Sequence, residues 1–173
     1  NIMVYAGSVG PGRGRGVVEI LIDALATDRD NSIIVYTGEK DTSQGLKSTI
    51  KKYHNVKEVR FFPNSSSFLR YIISKIYFIP TSVKKEDHIL ISVNYYIPAF
   101  SRLIVYHLNL LSFMRENNAS FSSKIKKKDA KIACKYADMN LFESKYLQET
   151  AKNYTKSKIN NPNILYIGVD PNF

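Results

Sequence analysis

A chain of 173 residues with 44% hydrophobic and 23% charged side chains has the make-up of one globular domain, long enough to bury its own core. The formal charge of +10 favours anionic partners (nucleic acid, phosphorylated substrates, acidic lipid), although a chain this rich in Lys, Asn, Ile and Tyr also gathers charge by composition alone. No apolar run reaches the ~18–20 residues that cross a bilayer, the start Asn1-Ile2-Met3-Val4-Tyr5 lacks the basic flank of a signal peptide, and the lone Cys134 excludes an internal disulfide and a cysteine metal cluster.

Strand-like and helical segments alternate along the whole chain. Ile2–Ala6 is a short apolar strand, followed by a glycine loop over Gly7–Gly16 and a helix over Val17–Ala26, whose apolar residues fall on one stripe. Ser32–Tyr36 is a β-branched strand, Asp41–Tyr53 a polar helix capped by Asp41 or Thr42, and Val56–Phe62 a third strand. Ser65–Ser67 can cap a helix from about Phe68 to Phe78, which Pro80 ends. His88–Val93 is the fourth strand, Pro98 opens a brief helical turn, and Leu103–Tyr106 is the fifth. A polar loop over Asn117–Ser123 leads to a basic helix, Ser123–Tyr136. The strand Met139–Phe142, the helix Ser144–Tyr154 and the strand Ile164–Ile167 complete the series. The alternation implies an α/β, Rossmann-like fold: a mostly parallel open sheet of about seven strands, with helices on both faces, in one domain over 1–173.

Open α/β sheets bind ligands outside the carboxyl ends of their strands, near the point where strand order reverses. The loop Gly7-Ser8-Val9-Gly10-Pro11-Gly12-Arg13-Gly14-Arg15-Gly16 belongs there. Its glycines permit close backbone approach, the following helix offers unpaired N–H groups, and Arg13 and Arg15 can add anion contacts. The glycine spacing matches neither G-x-G-x-x-G nor a Walker loop, and Glu39 alone is weak support for ribose binding. Asn94 and Tyr95 follow the fourth strand, and His107 and Asn109 follow the fifth, which directs all four toward the glycine-loop edge. A histidine there is a candidate for chemistry; the competing reading is a buried histidine bonded to backbone. His54 and His88 read as structural, Cys134 as a packed helix residue, and nothing has metal-ligand spacing.

The same segments carry a resemblance. Ile104-Val105-Tyr106-His107-Leu108-Asn109-Leu110-Leu111-Ser112-Phe113, Ala137-Asp138-Met139-Asn140-Leu141-Phe142-Glu143-Ser144-Lys145-Tyr146-Leu147 and Tyr166-Ile167-Gly168-Val169-Asp170 follow the glycine loop in order. Together they resemble the N-terminal, acceptor-side domain of a GT-B-fold glycosyltransferase of the family-4 kind. Two departures are Ile167 where the family usually has Asn, and a glycine loop longer and richer in arginine than the common form. The resemblance implies an enzyme that moves a hexose from a nucleotide sugar (UDP- or GDP-linked) to a glycan or lipid-linked acceptor, with retention at the anomeric carbon. It implies that His107 orients a hydroxyl, that Gly10, Gly12, Arg13, Gly14, Asn94, Tyr95 and Asn109 line the acceptor side, and that Gly168, Val169 and Asp170 form the interdomain hinge. The start at Asn1 and the end just past that turn suit a domain of a larger protein, with a C-terminal half that holds the donor. This half alone is expected to bind no cofactor and to be inactive.

Phe68, Leu69, Ile72, Ile73, Ile76 and Tyr77 form an apolar stripe, and Lys124, Lys126, Lys127 and Lys128 lie on the basic helix. Both suit a crossover helix packed on the sheet and a solvated helix. The sharper, second reading is peripheral contact with an anionic membrane at the cytoplasmic face, where many such acceptors reside. Two other classes remain: a dinucleotide-binding oxidoreductase domain, which the glycine spacing disfavours, and a basic nucleic-acid-binding module, for which no groove-reading motif is present.

Overall fold

The computed structural model describes residues 1–6, 13–37, 40–60, 72–73, 75–76, 88–98, 102–108, 112–114 and 121–166. Seven strands are β1 (Ile2–Tyr5), β2 (Ile33–Thr37), β3 (Val56–Arg60), β4 (Ile89–Val93), β5 (Arg102–His107), β6 (Met139–Phe142) and β7 (Pro162–Ile164). Four helices stand among the described residues: α1 (Arg13–Ala26), α2 (Lys40–Lys52), α3 (Phe121–Tyr136) and α4 (Lys145–Thr155). The strands form one all-parallel sheet in the order β3-β2-β1-β4-β5-β6-β7, a Rossmann-like α/β arrangement. The sequence implied a mostly parallel sheet of about seven strands; it is parallel throughout. Its order reverses between β1 and β4, the switch point outside which such folds place ligands.

The chain falls into two compact units, Asn1–Val93 with Ile97–Leu103, and Asn94–Tyr96 with Ile104–Phe173. In the first, β1 pairs with β2 and β4 in register Ile2↔Ile33 and Ile2↔Ile89, and β2 with β3 in register Ile33↔Val56. β1 is buried at every position, which is why it reads as an unbroken apolar run rather than an alternating one. Val18, Ile22 and Leu46 bring the apolar faces of α1 and α2 into this core, each with no exposed surface.

The helix α1 begins four residues earlier than its apolar stripe, so Arg13, Gly14, Arg15 and Gly16 form its first turn instead of the end of a loop. Glycine is poor in a helix interior but costs less where the first N–H groups have no intrahelical partner anyway. Arg15 supports the turn by pairing with Glu19, four residues on, at 2.9 Å.

In the second unit β5, β6 and β7 pair in register Ile104↔Met139 and Asn140↔Pro162. The core is Phe113, Ala130, Cys134, Phe142, Leu147, Ala151 and Ile159, with Tyr154 packed against it. Helix α4 starts at the Ser144 cap, whose Oγ accepts from the Leu147 N–H at 3.2 Å, and ends at Lys156 in the left-handed region (φ 51°). Among the described residues the last strand is Pro162–Ile164 instead of one that begins at Ile164 and runs on through Leu165 and Tyr166; Ile167 lies outside the described residues. Its partner β6 ends at Phe142, opposite Ile164, and one further bond runs from the Leu165 N–H to the Phe142 carbonyl.

Candidate functional site

The parallel order puts His107 at the carboxyl end of β5, inside the second unit. The ring is only 2% exposed. It stacks on Phe142 at 4.8 Å between centroids and 15° between planes, and meets the edge of Phe113 at 5.3 Å. Its Nε2 lies 2.9 Å from Asn140 Oδ1. Burial is the main cause that pushes the His107 pKa down to about 4, against the weaker opposing effect of the Asn140 hydrogen bond. The imidazole is therefore neutral at ordinary pH: it can give or take a hydrogen bond but carries no charge to a ligand.

Asn140 was not among the expected site residues, yet it organises this end of the unit. It is fully buried, and its Nδ2 donates to the Asn160 carbonyl at 2.8 Å and to the Cys134 carbonyl at 3.4 Å. The Cys134 carbonyl, near the end of α3, also accepts from the Asn160 N–H at 2.8 Å, which satisfies a group the helix leaves open. Asn160 Nδ2 in turn donates to the Ala137 carbonyl at 2.7 Å. The signal for Asn140 lies in the period of β6. Asn140 shares a sheet face with Phe142, so a strand that buries one buries the other.

Asn94 ends β4 in the left-handed region (φ 64°), which Asn tolerates better than most residues. Its N–H donates to the Tyr106 carbonyl at 2.9 Å, and its Oδ1 accepts from the Leu108 N–H at 2.7 Å. The expected acceptor residue thus holds the exit of β5, the strand that carries His107. Tyr95 is half-buried. Next to it, the Tyr96 N–H donates to the buried Asp129 carboxylate at 2.8 Å; burial, and then the Asp129 charge, raise the Tyr96 phenol pKa.

The remaining expected positions divide plainly. Gly14 lies in the first turn of α1 and Arg13 begins that helix, whereas Gly10, Gly12, Glu39, Asn109, Gly168, Val169 and Asp170 lie outside the described residues. So does most of the stretch Phe68–Phe78, of which Ile76 is exposed. Cys134 is buried, as its apolar neighbours imply, and burial pushes its thiol up to about 12, which leaves it unreactive. Among the described residues no group of three or more His, Cys, Asp or Glu could hold a metal ion.

Of the four lysines expected on a basic surface, Lys127 is a correction. It is 6% exposed, and its Nζ donates to the Met114 carbonyl at 2.6 Å. Three consecutive lysines sweep too far around a helix of 3.6 residues per turn to share one face. The exposed face is Lys124, Lys128, Lys131 and Lys135, spaced four, three and four, with Lys126 half-buried beside it. Among the described residues no helix is long and apolar enough to cross a membrane. No protein-family model matches this chain, and no curated protein matches it.

Proposed function

We propose that this chain is the acceptor-binding half of a retaining GT-B-type glycosyltransferase, which transfers a hexose from a UDP- or GDP-sugar to a glycan or lipid-linked acceptor. The observation that carries this reading is the neutral His107, held at the carboxyl end of β5 in a parallel sheet whose order reverses between β1 and β4. The order of the segments around it is that of the resemblance described above.

In this reading His107 orients a sugar hydroxyl. With a pKa near 4 it is neither a strong base at pH 7 nor a source of protons there, so its part is a directed hydrogen bond. A second domain supplies the nucleotide site. Asn94 keeps the β5 exit in place through the Leu108 N–H.

The test is hexose transfer by the natural protein that contains this chain, with labelled UDP- and GDP-hexoses and the anomeric configuration of the product as readout. Retention of configuration, with a loss of at least tenfold in His107→Ala, is the expected outcome. Absence of transfer together with saturable NAD(H) binding would replace this reading with a dinucleotide-binding domain. Strongly salt-dependent oligonucleotide binding would replace it with a nucleic-acid module.

The lysine face of α3 supports peripheral contact with acidic lipid as part of the same reading, since each exposed lysine near such a surface adds about 1 kcal/mol. Reversal of Lys124, Lys128 and Lys131 to Glu should abolish pelleting with phosphatidylserine vesicles. Unchanged pelleting would remove the membrane from the proposal.

A further inference from the structure

Asn140 does more to His107 than fill space. An asparagine amide has one end that only donates and one that only accepts. The donating end of Asn140 is fixed by two backbone carbonyls, Asn160 O at 2.8 Å and Cys134 O at 3.4 Å. The reverse orientation would set Oδ1 against both of those oxygens and leave Nδ2 facing the ring, so the amide has one acceptable setting. Oδ1 therefore faces His107 Nε2 at 2.9 Å, and the contact is a hydrogen bond only if Nε2 carries the proton. A neutral imidazole has a single N–H, which leaves a lone pair on Nδ1.

We propose that Asn140 is a positioning residue that locks His107 in its Nε2–H form, so that Nδ1 meets whatever binds at the end of β5 as a hydrogen-bond acceptor and never as a donor. A group that donates, such as a hydroxyl, is taken; a deprotonated oxygen is refused. The lock reaches further than the ring. The carbonyls that orient Asn140 belong to the end of α3 and to the segment before β7, so the histidine's tautomer depends on those two elements staying docked on β6. Only the identity of the donating group rests on the glycosyltransferase reading; the tautomer does not.

The experiment is two-bond ¹⁵N–¹H correlation of the His107 ring in the whole 173-residue chain at pH 7. The expected pattern is a protonated Nε2 and a bare Nδ1, and a protonated Nδ1 would overturn the proposal. Asn140→Leu removes the acceptor and should shift the ring to a mixture with Nδ1–H. A pure Nε2–H pattern in a folded Asn140→Leu protein would show that Asn140 does not set the tautomer. If the leucine variant does not fold, the wild-type spectrum decides alone, because a protonated Nδ1 there overturns the lock. A chain that keeps the pattern while the natural protein transfers no hexose would sink the functional reading and leave the lock standing.

Discussion

The two units of this chain keep different things inside. Among the described residues, the first buries hydrocarbon almost throughout, and its buried polar side chains are Thr37 and Ser92. The second buries His107, Lys127, Asp129, Asn140 and Thr155. The first unit is held as parallel βαβ layers usually are, by apolar area removed from water and by strand ladders. That scheme tolerates exchange among Val, Ile and Leu. The second depends on polar groups that each need a particular partner, and such a network fixes geometry more sharply than hydrocarbon does but fails harder when one member is lost. A unit that must hold one ring in one setting has reason to be built the second way.

The hardest blow to this difference is Asn140→Leu. It leaves the His107 Nε2–H, the Asn160 carbonyl and part of the Cys134 carbonyl's bonding unmet, at about 1–3 kcal/mol for each buried group stranded. The expected loss is about 4 kcal/mol by urea unfolding, with the second unit's core opening first in hydrogen exchange. A loss under about 1 kcal/mol would mean that the network is ornamental and the two units are held alike.

Acid should separate the units next. The His107 pKa falls from 6.5 in the unfolded chain to about 4 in the folded one, through burial that the Asn140 hydrogen bond offsets only in part. As pH drops below 6.5 the unfolded chain takes up a proton that the folded ring refuses, so stability declines until the pH falls below about 4, where both forms are protonated. Each tenfold change in proton affinity is worth about 1.4 kcal/mol, so the decline amounts to roughly 3 kcal/mol. Above pH 6.5 this contribution is full and flat. His107→Gln should remove that part of the slope, as read from urea midpoints between pH 7 and pH 4. An unchanged slope would place the proton uptake elsewhere.

Much of the first unit could be read from the sequence, because unbroken runs such as Ile2-Met3-Val4-Tyr5 and Ile89-Leu90-Ile91-Ser92-Val93 have few other places to go in an α/β chain. The start of α1 could not, since a turn containing Gly14 and Gly16 carries no helix signal and Arg15 finds Glu19 only once the turn exists. In the second unit, apolar periodicity placed β6 and α4, yet it gave Lys127 and Lys128 the same standing. Which of them turns inward is set by the Met114 carbonyl, a partner thirteen residues away in sequence. The position of His107 followed from element order. Its tautomer did not, because Asn140, Cys134 and Asn160 meet only through the β6–β7 pairing.

That pair of lysines makes a smaller, internal test. Lys127→Met keeps the length of the side chain but withdraws a charged donor from the Met114 carbonyl, and should cost about 2 kcal/mol. Lys128→Met, on the exposed face, should stay within about 0.5 kcal/mol of the parent. Equal effects in thermal unfolding would mean that Lys127 is held no more tightly than its neighbour.

The gentlest prediction has the opposite sign and comes from the other unit. Ser92 lies fully buried near the end of β4, opposite Tyr5 in the ladder, and its Oγ has no hydrogen-bond partner among the described residues. A hydroxyl taken out of water without a partner is a cost the fold carries. Ser92→Ala removes that cost and little else, so it should raise stability by about 0.5–1 kcal/mol. A gain would set the units fully apart: the same change from polar to apolar strengthens the first and breaks the second. A loss of similar size would mean that the hydroxyl has a partner after all, at the carboxyl ends of β1 and β4, where the sheet's order reverses.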